Sequence, residues 1–144
     1  MNTLTQEWLN AVQDDLLTIE RILEEAHLTH IVAFHAEQAV EKCLKAMLEE
    51  DGVEFPKTHD LGRLYKLLQE SRDFPIDQQD MLQTLNTLYI DSRYPGEFGL
   101  LPNGKPTTED AREFYRFAQA VYAQVKTVLE QPTEVHEEHD DNAS

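Results

Sequence analysis

The chain has 144 residues, the length of one domain, and its single cysteine excludes an internal disulfide. It carries 28 acidic and 12 basic residues, a formal net charge of −16, so its field repels phosphate backbones and makes nucleic acid an unfavourable ligand. No apolar run reaches the roughly 18 residues of a membrane span, and the first residues do not resemble a signal peptide. We therefore expect a soluble cytoplasmic protein without a membrane segment.

The first predicted helix begins at Thr3, which with Gln6 has the form of a capping box. Apolar residues follow at steps of three and four, which predicts one buried stripe. The charged residues between them, including Asp14 and Asp15, are expected to be exposed. The helix is predicted to end between residues 25 and 28.

The second predicted helix runs from an N-cap at Thr29 to Gly52, a residue that readily takes the positive φ of a helix stop. Apolar residues surround the helix near Ile31 and Phe34, as expected of a segment enclosed by its neighbours. Cys43 lies on the apolar face and is interpreted as a core residue. At roughly 100° per residue, a polar band shares the opposite arc: Gln38, Glu41, Lys42 and Lys45.

Three further helices are predicted, and no strand. Thr58 is expected to cap the third, over residues 59–71, and Pro75 separates it from the fourth, over residues 77–91. Residues 92–107 contain three prolines and three glycines and are predicted to form one long loop. Thr107 or Thr108 then caps the fifth helix. Residues 131–144 are interpreted as an acidic, disordered tail.

Parts of this pattern resemble the HEPN family (higher eukaryotes and prokaryotes nucleotide-binding). The resemblance extends from Trp8 to about Leu129 and combines three motifs, AxQAVEKxLKA, THDL and RYP. The residues that carry it are Phe34, His35, Ala36, Gln38, Ala39, Val40, Glu41, Lys42, Lys45, Ala46, Thr58, His59, Asp60, Leu61, Tyr89, Ile90, Ser92, Arg93, Tyr94 and Pro95.

The resemblance implies an all-α fold, an up-and-down bundle of about five helices with a long loop before the last helix. Residues 1–130 would form this HEPN-like bundle. The family is often dimeric and often linked to nucleotides or nucleotidyltransferases. Because helix two is apolar all round near Ile31 and Phe34, we expect a symmetric homodimer.

The family's ribonuclease branch carries an Arg followed, after four to six residues, by a His. Arg93 matches the Arg by position, but the residues at the required spacings are Phe98, Gly99 and Leu100. The imidazole that would act as general acid or base is therefore missing, which argues against an enzyme. A ribonuclease toxin with a degenerate Arg-to-His motif is the alternative.

The remaining candidate site is the polar band of helix two. We expect Gln38, Glu41, Lys42 and Lys45 to face His59 and Arg93, whose cations would hold a phosphate or an acidic partner loop. A simple exposed ion pair between Glu41 and Lys45 is the competing interpretation. Tyr94 adds an aromatic anchor beside Arg93.

The six histidines lack the spacing of a metal site, and no cofactor is expected, although a bound nucleotide would fit the family. The leading hypothesis is a non-catalytic HEPN module. It would bind a nucleotide or a partner minimal nucleotidyltransferase, as in a toxin–antitoxin pair.

Overall fold

The computed structural model describes residues 1–92 and 105–131. This part of the chain is all-α and contains no strand, which confirms the predicted fold class. None of its helices is both long and apolar enough to cross a bilayer. The helices are α1 (Thr3–Ile22), α2 (Thr29–Glu50), α3 (Leu61–Ser71), α4 (Gln79–Ser92) and α5 (Thr108–Glu130), with one 3-10 turn at Ala26–Leu28.

Helix α2 is the centre of the bundle and packs against each of the other four α-helices. Small residues on α2, among them Ala36, Ala39 and Ala46, are completely buried and allow neighbouring helices to approach closely. Cys43 is also completely buried, as predicted for a core residue. Burial raises the pKa of its thiol, which keeps the group protonated and unreactive.

Two helix ends form as the sequence predicts. Gly52 adopts φ +70° after α2. Its N–H donates to the carbonyl of Glu49 (3.1 Å), and the N–H of Val53 donates to that of Leu48 (2.9 Å), which is a Schellman motif. At the start of α5, Thr107 and Asp110 exchange side-chain and backbone hydrogen bonds in a capping box.

The predicted caps of α1 and α2 are wrong. Asn2 caps α1, because its Oδ1 accepts from the N–H of Thr5 at 2.8 Å, while Thr3 already lies in the helix. The helix ends at Ile22, and the 3-10 turn follows. That turn leads directly into α2, so Thr29 already has helical backbone angles and cannot act as its N-cap.

The start of α3 was predicted two residues too early. Thr58 accepts a hydrogen bond from the N–H of Asp60 at 3.1 Å, and Asp60 in turn caps the helix by accepting from the N–H of Arg63 at 3.2 Å. The two short side chains thus act in succession, and the helix begins at Leu61.

The predicted loop before α5 lies mostly outside the described residues, since residues 93–104 belong to neither described range. The predicted tail does so as well, apart from Gln131. Their conformations stay predictions.

Candidate functional site

The polar band predicted on α2 is divided between two carboxylates. We call the first group the Glu41 cluster; it contains Glu37, Gln38, Glu41, Lys45 and His59. We call the second group the Asp15 cluster; it contains Asp15, His35 and Lys42.

The Glu41 carboxylate is the hub of its cluster and is only 3 % exposed. It accepts from Lys45 Nζ at 2.7 Å, from His59 Nδ1 at 3.0 Å and from Gln38 Nε2 at 3.2 Å. The interpretation of Glu41 and Lys45 as a simple exposed pair is therefore wrong, because the core packs around both. Removing Glu41 from this buried pair is costly, since Lys45 would keep no carboxylate partner.

Lys45 is enclosed by aromatic rings as well as by Glu41. Its Nζ lies 5.6 Å from the ring centroid of Trp8 and 6.0 Å from that of Phe55, within the range of cation–π attraction. Its side chain is 10 % exposed. The contacts of the Lys45 ammonium are thus made within the fold, so it is not available to bind a ligand.

Glu37 is a member of this cluster that the sequence interpretation missed. It lies one turn before Glu41 and is completely buried. Its Oε1 accepts from Gln38 Nε2 at 2.9 Å, while Oε2 has no hydrogen-bond partner among the described residues. Burial, and then the charge of Glu41, raise the pKa of Glu37 to about 9, so it is protonated at neutral pH. The signal in the sequence was an acid four residues before another acid.

His59 forms the exposed rim of the cluster, with half of its side chain accessible. Its Nδ1 lies 3.0 and 3.2 Å from the two oxygens of Glu41, which can only accept, so Nδ1 carries the hydrogen. A neutral His59 then has Nε2 as an acceptor. Its ring lies 5.1 Å from that of Tyr89, which stacks on Phe34 at 5.5 Å.

The Asp15 cluster joins α1 to α2. Asp15 was predicted to be exposed, which is wrong: it is 6 % exposed and faces α2. Its two oxygens bind Lys42 Nζ and His35 Nδ1, each at 2.8 Å. A carboxylate on the buried face is tolerated because both oxygens are paired. Lys42, which was expected to face His59, instead binds Asp15.

The HEPN domain model matches residues 5–128, most of the chain. The chain belongs to the HEPN family. Two solved structures resemble it as well. TT1696 from Thermus thermophilus has a TM-score of 0.71 and 27 % identity, over 88 % of this chain and 98 % of that one. ST0689, an archaeal HEPN homologue, has a TM-score of 0.64 and 23 % identity, over 90 % and 100 % of the two chains. No curated protein sequence matches.

Within this HEPN bundle, the described residues bring together four members of the predicted site, Gln38, Glu41, Lys45 and His59. Lys42 is placed in the other cluster. Arg93 and Tyr94 lie outside the described residues, so their part in the site stays a prediction. No group of three or more His, Cys, Asp or Glu side chains in the described ranges could hold a metal ion.

Proposed function

We propose that this HEPN chain is a non-catalytic module that binds a minimal nucleotidyltransferase, as one member of a toxin–antitoxin-like pair. The observation that carries the proposal is the convergence of Gln38, Lys45 and His59 on the buried carboxylate of Glu41. His59, the exposed rim of this cluster, would form part of the contact surface, to which we propose that Arg93 and Tyr94 also contribute. Residues 1–130 constitute the module, and the acidic tail from residue 131 onward lies outside it.

Binding is favoured over catalysis by the residues available for acid–base chemistry. The sequence has Phe98, Gly99 and Leu100 where a ribonuclease motif would place its His after Arg93. The cluster's lysine is enclosed by Glu41 and by aromatic rings. These residues suit a prearranged surface better than hydrolysis of an RNA backbone.

A protein partner is favoured over a nucleotide by charge. The chain has a formal net charge of −16, and both lysines of the predicted site are neutralised by carboxylates, Lys42 by Asp15 and Lys45 by Glu41. Direct nucleotide binding is the second candidate. One observation favours it: the accessible rings of Phe34 and His59, which both contact the buried ring of Tyr89, would give a base a stacking surface.

The test is capture of partners from the native host on the immobilised full chain at moderate salt. We expect a nucleotidyltransferase to be retained by the wild type and lost with Arg93→Ala, which should weaken binding by more than about 1 kcal/mol. The melting temperature of Arg93→Ala should stay unchanged. A loss of stability with intact binding would remove Arg93 from the site.

A ribonuclease assay distinguishes the proposed binding module from the alternative, a ribonuclease toxin. The purified chain should not cleave tRNA or mRNA above a buffer control. Metal-independent cleavage that disappears in Arg93→Ala would show that another residue supplies the missing acid or base, and the ribonuclease would then be the better account.

We also propose that the module is a symmetric homodimer. Ile31 and Phe34 on α2 remain partly exposed in the single chain, and an isologous contact would bury them. Light scattering should give the mass of a dimer at micromolar concentration; a monomer mass would contradict this.

A further inference from the structure

A groove of about 440 Å³ lies between the start of α3 and the outer face of α4. His59 and Asp60 contribute from the α3 side, and Asn86 and Ile90 contribute from α4. The groove lies beside the Glu41 cluster, because His59 belongs to both. Its chemistry determines what it can receive.

An anion is an unfavourable occupant of the groove, although α3 begins there and a helix N-terminus generally favours negative charge. The carboxylate of Asp60 already caps α3 by accepting from the N–H of Arg63 at 3.2 Å. The N–H of Leu61 donates to Asn86 Oδ1 at 2.9 Å, and Asn86 Nδ2 donates to Asp60 Oδ1 at 3.0 Å. The donors of the helix start are thus partly satisfied by the protein, and the carboxylate adds negative charge.

The remaining polar groups include two acceptors, on His59 and Asp60, together with the side chains of Thr58, Gln83 and Thr87, which can donate as well as accept. His59 uses Nδ1 as a donor to Glu41, which leaves Nε2 with a lone pair when the ring is neutral. Asp60 Oδ2 accepts no hydrogen bond from the described residues. Ile90, 55 % exposed, forms an apolar wall. No Lys or Arg is among the described residues that line the groove.

We propose that this groove receives an arginine side chain from a partner protein. The guanidinium would donate to His59 Nε2 and to the carboxylate of Asp60, while its methylene stem would pack against Ile90. Arginine suits two separated acceptors better than lysine, because its donors lie in a planar fork. The formal net charge of −16 would attract such a partner. The inference rests on the proposed binding function.

A direct test uses a short probe in place of the partner. The full chain, labelled with ¹⁵N, is titrated with the blocked peptide acetyl-Gly-Arg-Gly-amide and followed by NMR. The signals of Asn86 and of the residues around Asp60 should shift with the arginine peptide, and less with its lysine counterpart. They should not shift with the glutamate counterpart.

Two variants locate the effect. Asp60→Asn keeps an N-capping residue but removes the charge, and it should weaken the arginine peptide about fivefold. Glu113→Gln removes the same charge from an exposed position on α5 and should leave the dissociation constant unchanged. Equal weakening by both variants would mean general charge attraction and would overturn the site, as would equal binding of the three peptides.

The two proposals fail separately. If no nucleotidyltransferase is captured but the arginine peptide binds in an Asp60-dependent way, the groove stands and the proposed partner is wrong. If the nucleotidyltransferase is captured equally by the wild type and Asp60→Asn, and the peptide does not bind, the groove is wrong and the proposed function stands.

Discussion

The Asp15 and Glu41 clusters contain the same kinds of charged group, in part on α2, but bury their lysines to different depths. Each carboxylate holds one histidine and one lysine. In the Asp15 cluster the side chains of His35 and Lys42 are 24 % and 23 % exposed, so water can replace a lost partner. The side chain of Lys45 is only 10 % exposed and lies between rings.

A second difference is the number of carboxylates. The Glu41 cluster also contains Glu37, which carries a proton because burial, and then the neighbouring charge of Glu41, raise its pKa. The Asp15 cluster is therefore a clamp between α1 and α2. The Glu41 cluster is a buried polar group with one exposed end, His59, and a partner would contact it at this end.

The largest effect is expected from Glu41→Ala. Lys45 would be left in a buried site without a carboxylate partner, and the free energy of unfolding should fall by about 3 to 5 kcal/mol. Urea denaturation measures the loss. Replacing both partners, as Glu41→Leu with Lys45→Met, should recover most of it. A loss below about 1 kcal/mol for Glu41→Ala would show that water reaches Lys45.

The next effect is a gain of stability in Glu37→Gln. The pKa of Glu37 rises from 4.5 to about 9 on folding, so the unfolded chain releases this proton at lower pH than the folded chain. The contribution of Glu37 is thus favourable at low pH and is progressively lost as the pH rises from 4.5 to about 9. Glu37→Gln should remove that loss and raise the free energy of unfolding by about 2 to 3 kcal/mol near pH 7.

Denaturation as a function of pH checks the sign for Glu37. The advantage of Glu37→Gln over the wild type should grow between pH 5 and pH 8, since the wild type alone must keep a proton on a buried acid. Glu54→Gln, at an exposed position, is the control and should show no such trend. A constant difference at all pH values would mean that Glu37 does not titrate in this range.

The smallest effect on stability is expected from Asp15→Asn. The amide keeps one acceptor, and the partly exposed His35 and Lys42 can turn to water, so the loss should be about 1 to 2 kcal/mol. Asp14→Asn, at the adjacent exposed position, should change nothing. A loss for Asp15→Asn as large as that for Glu41→Ala would remove the distinction between the clusters.

The sequence was most informative where structure depends on nearby residues. Gly52 ends α2 by adopting a positive φ, a local property that the residue type itself indicates. Thr107 caps α5 through Asp110, only three positions further along the chain. Thr29 failed as a cap because the preceding 3-10 turn, which has no clear sequence pattern, already directs the chain into the helix.

Side chains whose partners lie on another helix were harder to predict. Periodicity placed Lys42 beside Glu41 on α2. It could not show that Asp15 of α1 packs against this helix and binds Lys42 instead. The same limit applies to Glu37, whose burial depends on the helices packed around α2. His59 was correctly placed near Glu41 only through the family resemblance, since 18 residues separate the two.

The most direct test of the account is calorimetric titration of the proposed nucleotidyltransferase partner into two matched variants, His59→Ala and His35→Ala. Each removes one imidazole from one carboxylate. If the Glu41 cluster is the binding site and the Asp15 cluster is a clamp, His59→Ala should weaken binding about tenfold, the effect of losing a charge-assisted hydrogen bond, and His35→Ala should not. Equal affinity in both variants, or a loss confined to His35→Ala, would contradict the account.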